Sequence, residues 1–159
     1  MLNLSDLVAG YAASCRSAGL TPPVGLKLET LTAPHSPHAL PKGFGAVYVF
    51  ALTDGYRAGE VAPGRALKVG KAGPTSNARF QSQHYSATSA PSTLSRSLVE
   101  TPVLWPLLGV DEMSAGTVRD WLLVNTDRHH VFLPADEYPL HGTLVEKYLR
   151  GVLGPVFEG

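Results

Sequence analysis

The sequence predicts an α+β fold, in which a small three-stranded antiparallel sheet is flanked by helices and preceded by an N-terminal helical extension. Two apolar runs, 45–50 and 66–73, flank a polar connection that contains glycine, which is the pattern of a β-hairpin. A third run, 131–133, follows two histidines and predicts the third strand. Near the C-terminus, apolar residues recur at helical spacing and predict a long last helix: Leu140, Leu144, Val145, Tyr148, Leu149 and Val152.

The N-terminal part of the chain has a different pattern. Ser5 is suited to capping a helix, which should end before two consecutive prolines. Residues 26–31 alternate weakly and indicate a possible strand, and the proline-rich stretch 33–42 indicates a connector. We therefore expect an N-terminal extension, 1–42, packed on a main domain, 43–159.

Helices are also predicted between the hairpin and the third strand. Residues 74–76 have helix-start chemistry, and 77–85 should continue as a helix. A second helix is predicted to open at 92–93 and to stop before Pro102. Residues 114–125 are compatible with helix or strand, and we favour a helix.

Composition limits the class of protein. At 159 residues, the chain can bury a sizeable core as one domain without a structural metal or disulfide. Cys15 is the only cysteine, which favours a reducing, cytoplasmic setting. We found no apolar stretch long enough to span a membrane and no pattern typical of a signal peptide, so we expect a soluble protein. His35 and His38 have metal-compatible spacing, but nearby prolines make a helix improbable and no cysteine is near, so we expect no metal site there.

Charge is unevenly distributed, although the formal net charge is zero with 13 basic and 13 acidic residues. Between residues 55 and 99 the only acid is Glu60, and the basic residues are Arg57, Arg65, Lys68, Lys71, Arg79 and Arg96. The net charge argues against a broad non-specific grip on nucleic acid. The basic segment is therefore either a local anion-binding region or an ordinary solvated face.

Four residue types in this order suggest hydrolysis of a phosphodiester with one metal ion. Tyr48 lies in the first strand of the hairpin, Lys71 in the second, Arg79 in the following helix and Glu146 in the last helix. Each also has a purely structural interpretation. Glu146, for example, could be an exposed glutamate paired with Arg150 one helical turn away.

These residues resemble the GIY-YIG nucleases, a family that pairs two strands carrying the name motifs and places an arginine and a metal-binding glutamate on later helices. Residues 46–48 correspond to the first motif and 68–70 to the second. Lys71 matches the basic residue that often follows the second motif, Arg79 the helical arginine, and Glu146 the glutamate. The resemblance extends from residue 45 to the C-terminus.

The sequence departs from the family at several positions. Lys68 replaces the second motif tyrosine, and Gln83 stands where the family often has His or Tyr, with His84 one step further on. Residues 155–158 are similar to the terminal proline-x-aromatic-Asn element, but Glu158 occupies the asparagine position. These changes leave the identity of the general base open.

The resemblance implies a divalent-metal-dependent endonuclease acting on DNA. Some small stand-alone bacterial members are linked to single-stranded DNA, so that strand form is included among the expected partners. Glu146 would bind one Mg²⁺ or Mn²⁺, ions that are satisfied by one or two carboxylates with water and substrate phosphate. Arg79 would hold a phosphate oxygen through its planar fork, and Lys71 would add a point charge.

Two residues compete for the role of general base. Tyr48 is the first candidate, and His84 is the rival because the ordinary pKa of histidine lies closer to neutrality. A nearby Lys68 ammonium could lower the pKa of Tyr48 and so compensate for the missing tyrosine.

Two other classes of function stay open. The chain could be a nucleic-acid-binding module that keeps the fold but has lost the chemistry through Lys68 and Glu158. It could also be a protein-interaction domain, for which the apolar segment 103–108 is the best argument if its side chains are exposed.

Overall fold

The computed structural model describes residues 2–157, which form an α+β fold with a four-stranded antiparallel sheet. The strands are β1 (Lys27–Leu31), β2 (Phe44–Leu52), β3 (Ala66–Ala72) and β4 (Thr126–Pro134). The α-helices are α1 (Leu4–Ser17), α2 (Asn77–Gln81), α3 (Leu94–Val99), α4 (Val118–Asn125) and α5 (Tyr138–Leu153). Short 3₁₀ turns cover Gln83–Tyr85 and Pro102–Leu104.

The strands lie in the order β1-β4-β2-β3, and each neighbouring pair is antiparallel. The predicted hairpin is confirmed as β2 and β3. The prediction of three strands is wrong by one, because β1 pairs with β4 along its length and extends the sheet. The weakly alternating run 26–31 is therefore part of the sheet, and its partner lies about a hundred residues away, a pairing that local pattern does not reveal.

Helices cover both faces of the sheet. Side chains of alternate residues of β2 point to opposite faces, so Tyr48 and Phe50 pack with α2, α3 and α4 while Val47 and Val49 pack with α1 and α5. This double burial explains why β2 reads as a nearly continuous apolar run.

Two helix boundaries differ from the prediction. The N-cap of α1 is Asn3, whose Oδ1 accepts from the N–H of Asp6 at 3.2 Å, rather than Ser5. The predicted helix 77–85 is broken: α2 ends at Gln81, and a 3₁₀ turn follows. At the break the Ser82 hydroxyl donates to the carbonyl of Ala78, a local bond of the kind that competes with continued helix.

The other helix predictions are confirmed. Residues 114–125 contain α4 rather than a strand, and Thr93 caps α3 by accepting from the N–H of Arg96. The last helix ends at Gly154, whose φ of +50° is in the left-handed region that favours glycine.

Half of the apolar segment 103–108 packs into the fold. Leu108 is buried, and the indole N–H of Trp105 donates to the carbonyl of Leu98 at 2.8 Å. Val103 is 76% exposed and Leu107 is also exposed. Within residues 2–157, no helix has the length and apolar character needed to cross a membrane.

Strand β3 forms one edge of the sheet, and the described end of the chain, up to Phe157, pairs with its first half. The N–H groups of Val156 and Phe157 donate to the carbonyls of Ala66 and Leu67. The second half of this edge, around Val69 to Lys71, is lined instead by side chains from α2 and α5.

Candidate functional site

Two arginines from different helices bind the backbone of the β3 edge. Arg79 Nε, from α2, donates to the carbonyl of Lys71 at 3.3 Å. Arg150, from α5, donates to the carbonyl of Val69 at 3.4 Å. Carbonyl groups that a further strand would otherwise use therefore hold two guanidinium groups side by side along the strand.

The carboxylate of Glu146 lies between two cations. Its Oε2 is 3.2 Å from Lys71 Nζ, and its Oε1 accepts from Arg150 at 3.0 Å. Lys71 Nζ also donates to the hydroxyl of Thr143, one turn earlier on α5, at 2.6 Å. The pairing with Arg150 considered from the sequence is present, but the Glu146 side chain is only 12% exposed and belongs to a larger charged cluster.

The side chain of Tyr48, on β2, extends over β3 towards this edge because the residue opposite it on β3 is a glycine. Gly70 lies opposite Tyr48, and a Cβ at that position would lie 2.7 Å from Cε2 of the Tyr48 ring. The missing side chain lets the ring lie over β3. The Tyr48 hydroxyl then reaches the carbonyl of Lys71, to which it donates at 3.4 Å.

The Tyr48 hydroxyl also forms a hydrogen bond with His84, whose Nε2 lies 2.6 Å from the phenolic oxygen. The backbone N–H of Leu94 donates to His84 Nδ1 at 3.1 Å, so this nitrogen carries no proton. Burial and the nearby charge of Arg128 lower the pKa of His84 well below its ordinary value, so the ring is neutral. Its single proton is therefore on Nε2, and His84 donates to Tyr48.

Burial raises the pKa of Tyr48 to about 12. The charges of Arg79 and Arg128 oppose this rise by favouring the phenolate. The sequence suggested Lys68 for that role, but the cations that act on Tyr48 are these two arginines. Arg128 is fully buried, with its guanidinium carbon 5.1 Å from the centre of the Tyr48 ring.

Lys68 is a buried cation on the same face as Tyr48, opposite Phe50. It is 2% exposed, and its Nζ has no hydrogen-bond partner among the described residues. Burial, followed by the charges of Arg150 and Arg79, lowers its pKa. An unpartnered ammonium beside other cations is costly in the free protein, and an anion that reached it would relieve that cost.

The predicted site residues therefore belong to one connected region: Tyr48, Lys68, Lys71, Arg79, His84 and Glu146. Three contributors were not predicted as site residues. Arg150 was considered only as a pairing partner, Gly70 only as part of a motif, and Arg128 not at all. Glu158, the other departure from the family pattern, lies outside the described residues.

The donor set is compatible with one hard divalent ion at Glu146. A carboxylate offers about four acceptor positions, and the two cations use one on each oxygen. However, this carboxylate lies in a region rich in cations: Lys71 and Arg150 pair with it, and the charge of Lys68 interacts with Glu146 and with Arg79. A metal ion is therefore disfavoured at Glu146 until an anion such as a phosphate neutralises part of that charge.

Two surface depressions, of about 380 and 510 Å³, lie elsewhere, beside the start of α1. Neither is lined by the residues of the β3 edge. A ligand that lies along a surface needs no enclosed pocket. Comparison with protein-family models, curated proteins and solved structures found no match to this chain.

Proposed function

We propose that the protein is a divalent-metal-dependent endonuclease of the GIY-YIG type that hydrolyses DNA phosphodiester bonds. The observation that supports this most is the β3 edge, where several cations surround the single carboxylate of Glu146 beside the Tyr48 hydroxyl. Such a surplus of positive charge favours an anionic ligand, and the carboxylate provides a position for a metal ion. The proposal includes a cytoplasmic location, in keeping with the single free Cys15.

The cations have roles in binding the scissile phosphate. Hydrolysis builds negative charge on the non-bridging and leaving oxygens. Arg79 bonds to the carbonyl of Lys71 and to Tyr48, and its planar guanidinium would hold a phosphate oxygen beside the Tyr48 hydroxyl. Lys71 adds a second cation, and Mg²⁺ or Mn²⁺ held by Glu146 would act as a Lewis acid on the leaving oxygen.

Tyr48 is assigned as the general base. Its phenolate takes a proton from the attacking water, the water oxygen bonds to phosphorus, and the bond from phosphorus to the leaving oxygen breaks. The Nε2–H of His84 donates to the same oxygen and so stabilises the phenolate. We assign His84 as a positioning residue, because its only lone pair accepts from the Leu94 amide.

A second candidate function is a DNA-binding module without catalysis. Two observations favour it: burial raises the pKa of Tyr48 to about 12, and both oxygens of Glu146 are already paired with cations. Such a module would bind DNA in a salt-dependent manner and cut none of it.

A cleavage assay distinguishes the endonuclease from the binding module. It uses labelled single-stranded and duplex DNA with Mg²⁺, Mn²⁺ or EDTA. We expect metal-dependent cutting by the wild type and a loss of at least ~10³-fold in Glu146→Gln, an effect in the range of lost electrostatic catalysis. DNA affinity should stay equal or increase in Glu146→Gln, because the change removes a negative charge from a cationic surface.

The matched control is Glu100→Gln, which breaks another Arg–Glu pair at helical i,i+4 spacing on an exposed surface. Its cleavage rate should equal that of the wild type. Binding of DNA without cutting under every metal condition would overturn the nuclease proposal and favour the binding module.

A further inference from the structure

A second cluster of ligand-type side chains lies near the opposite edge of the sheet. Glu29 of β1 is the cross-strand partner of His130 of β4, so both side chains project from the same face. The connector between β1 and β2 brings His38 to the same point. Within residues 2–157, this is the one group of three or more His, Cys, Asp or Glu residues whose ligand atoms lie within 4.8 Å of one another.

One carboxylate oxygen is shared by both imidazoles. Glu29 Oε2 lies 2.7 Å from Nε2 of His38 and 2.7 Å from Nδ1 of His130. Phe80 packs against both rings, with centroid distances of 5.8 and 4.9 Å, and so restrains their orientation. The three groups therefore converge on one small volume.

The hydrogen bonds of His38 show that, in the neutral ring, the nitrogen facing Glu29, Nε2, carries no proton. His38 Nδ1 is 2.8 Å from the carbonyl of Ala39, which can only accept, so this nitrogen carries the ring proton. A neutral His38 then presents a lone pair to the carboxylate oxygen of Glu29. Two acceptors at 2.7 Å repel, and either an added proton or a metal cation between them removes the repulsion.

We propose that Glu29, His38 and His130 bind a divalent transition metal of the zinc class. Two imidazoles and one carboxylate are a ligand set typical of zinc, whereas Mg²⁺ prefers oxygen ligands only. In the bound state, Nε2 of His38, Nδ1 of His130 and the Glu29 oxygen would each give a lone pair to one cation, with the ring proton of His130 on Nε2, which has no hydrogen-bond partner among the described residues.

The geometry needs only a small adjustment. Zinc–ligand distances of about 2.0–2.1 Å place tetrahedral ligands about 3.3 Å apart, slightly further than the contacts seen here. Glu29 and His38 can move, because their side chains are 36% and 37% exposed, while His130 is fully buried and fixed. Solvent access also allows a water molecule to complete the coordination.

The metal would fasten the proline-rich connector to the sheet. His35, on the same connector, contributes differently, because it bonds to the carbonyl of Thr126 and the hydroxyl of Tyr85. The proposed metal would therefore tie the connector to the sheet, at a position separate from Glu146. This inference does not depend on nuclease activity.

Zinc binding by the full chain, after treatment with a chelator and its removal, tests the proposal. We expect one equivalent of Zn²⁺ by competition with a chromophoric chelator, and a visible absorption band on Co²⁺ substitution. Glu29→Gln and His38→Gln should each weaken Zn²⁺ binding by about 100-fold or more. Zinc should raise the Tm of the wild type but of neither variant.

Glu60→Gln, which changes an exposed carboxylate in another loop, and Glu146→Gln should both keep the zinc affinity of the wild type. Circular dichroism without metal verifies that the ligand variants are folded. The proposal is overturned if the wild type takes up no Zn²⁺, or if both ligand variants bind it as tightly as the wild type.

Discussion

Tyr48 has its hydroxyl between an N–H donor, His84 Nε2 at 2.6 Å, and a carbonyl acceptor, Lys71 at 3.4 Å. Replacing Tyr48 with Phe removes this hydroxyl and leaves the ring packing in place. If Tyr48 is the general base, we expect cleavage to fall by ~10²–10⁴-fold. Tyr148→Phe is the control, because that ring packs between α1 and α5.

The pH dependence of the cleavage rate is a second test of Tyr48 as the general base. Burial raises the pKa of Tyr48 to about 12, so the phenolate fraction increases tenfold per pH unit throughout the neutral range. The cleavage rate of the wild type should therefore increase with pH with a slope near one on a logarithmic scale, and the residual rate of Tyr48→Phe should lack this slope. An equal slope in both proteins would contradict the assignment of Tyr48 as base.

Lys68 is predicted to lower the stability of the free protein. In Lys68→Met, an apolar chain of similar length replaces a buried ammonium that has no hydrogen-bond partner within residues 2–157, so we expect the free energy of unfolding to increase by ~1–3 kcal/mol. Urea unfolding measures this change. Lys42→Met, on an exposed residue, should be neutral.

Because the pKa of Lys68 changes on folding, the free energy of unfolding depends on pH. The pKa of Lys68 is lower in the folded state than its ordinary value of 10.5, so the unfolded chain binds more protons between these two values. Wild-type stability should increase with pH across that interval, and the advantage of Lys68→Met should shrink. An advantage that grows with pH would show that the ammonium has a partner.

At the scale of the elements, the β2–β3 hairpin places the site through its register. Gly70→Ala would put a Cβ 2.7 Å from the Tyr48 ring, so we expect a loss of ~1–3 kcal/mol and a displaced hydroxyl. Cleavage should fall by ~10²-fold if the proposed function holds. Gly73→Ala is the matched control, because the nearest atoms there are 3.7 Å away. Equal effects of both changes would exclude a specific role for the register.

The hairpin and α5 could be predicted from sequence because their signals are local: alternation, apolar spacing and glycine turns. The pairing of β1 with β4 could not, because its register depends on a strand about a hundred residues away. The break at Ser82 was also missed, since it depends on a side-chain bond to Ala78. Because the helix breaks there, the position of His84 beside Tyr48 could not be derived from helical spacing.

The difference between local and long-range signals also explains why only one of the two clusters could be predicted from the sequence. The β3 edge could be anticipated in part, because a motif order links Tyr48, Lys71, Arg79 and Glu146. The cluster of Glu29, His38 and His130 comes from three segments with no shared motif: the sheet register pairs Glu29 with His130, and the connector brings His38 to them. His38 was considered with His35, its neighbour in sequence, but its partners in space are different residues.

At the scale of the whole molecule, affinity for DNA must come from local charge, because 13 basic and 13 acidic residues give a formal net charge of zero. A cluster of few cations contacts few phosphates, so we expect log K against log salt to have a shallow slope of about −2 to −3 on duplex DNA. Arg79→Gln should reduce the magnitude of that slope by about one. Fluorescence anisotropy with Glu146→Gln as the background measures binding without cleavage.

Arg96→Gln is the matched control for this charge change. Arg96 belongs to the same basic stretch of sequence, but it lies on α3 and pairs with Glu100, away from the β3 edge. Its slope should equal that of the background protein, because a phosphate bound at the β3 edge does not contact it. Equal reductions for Arg79→Gln and Arg96→Gln would show that DNA contacts a diffuse basic surface, and the β3 edge would lose its place as the binding site.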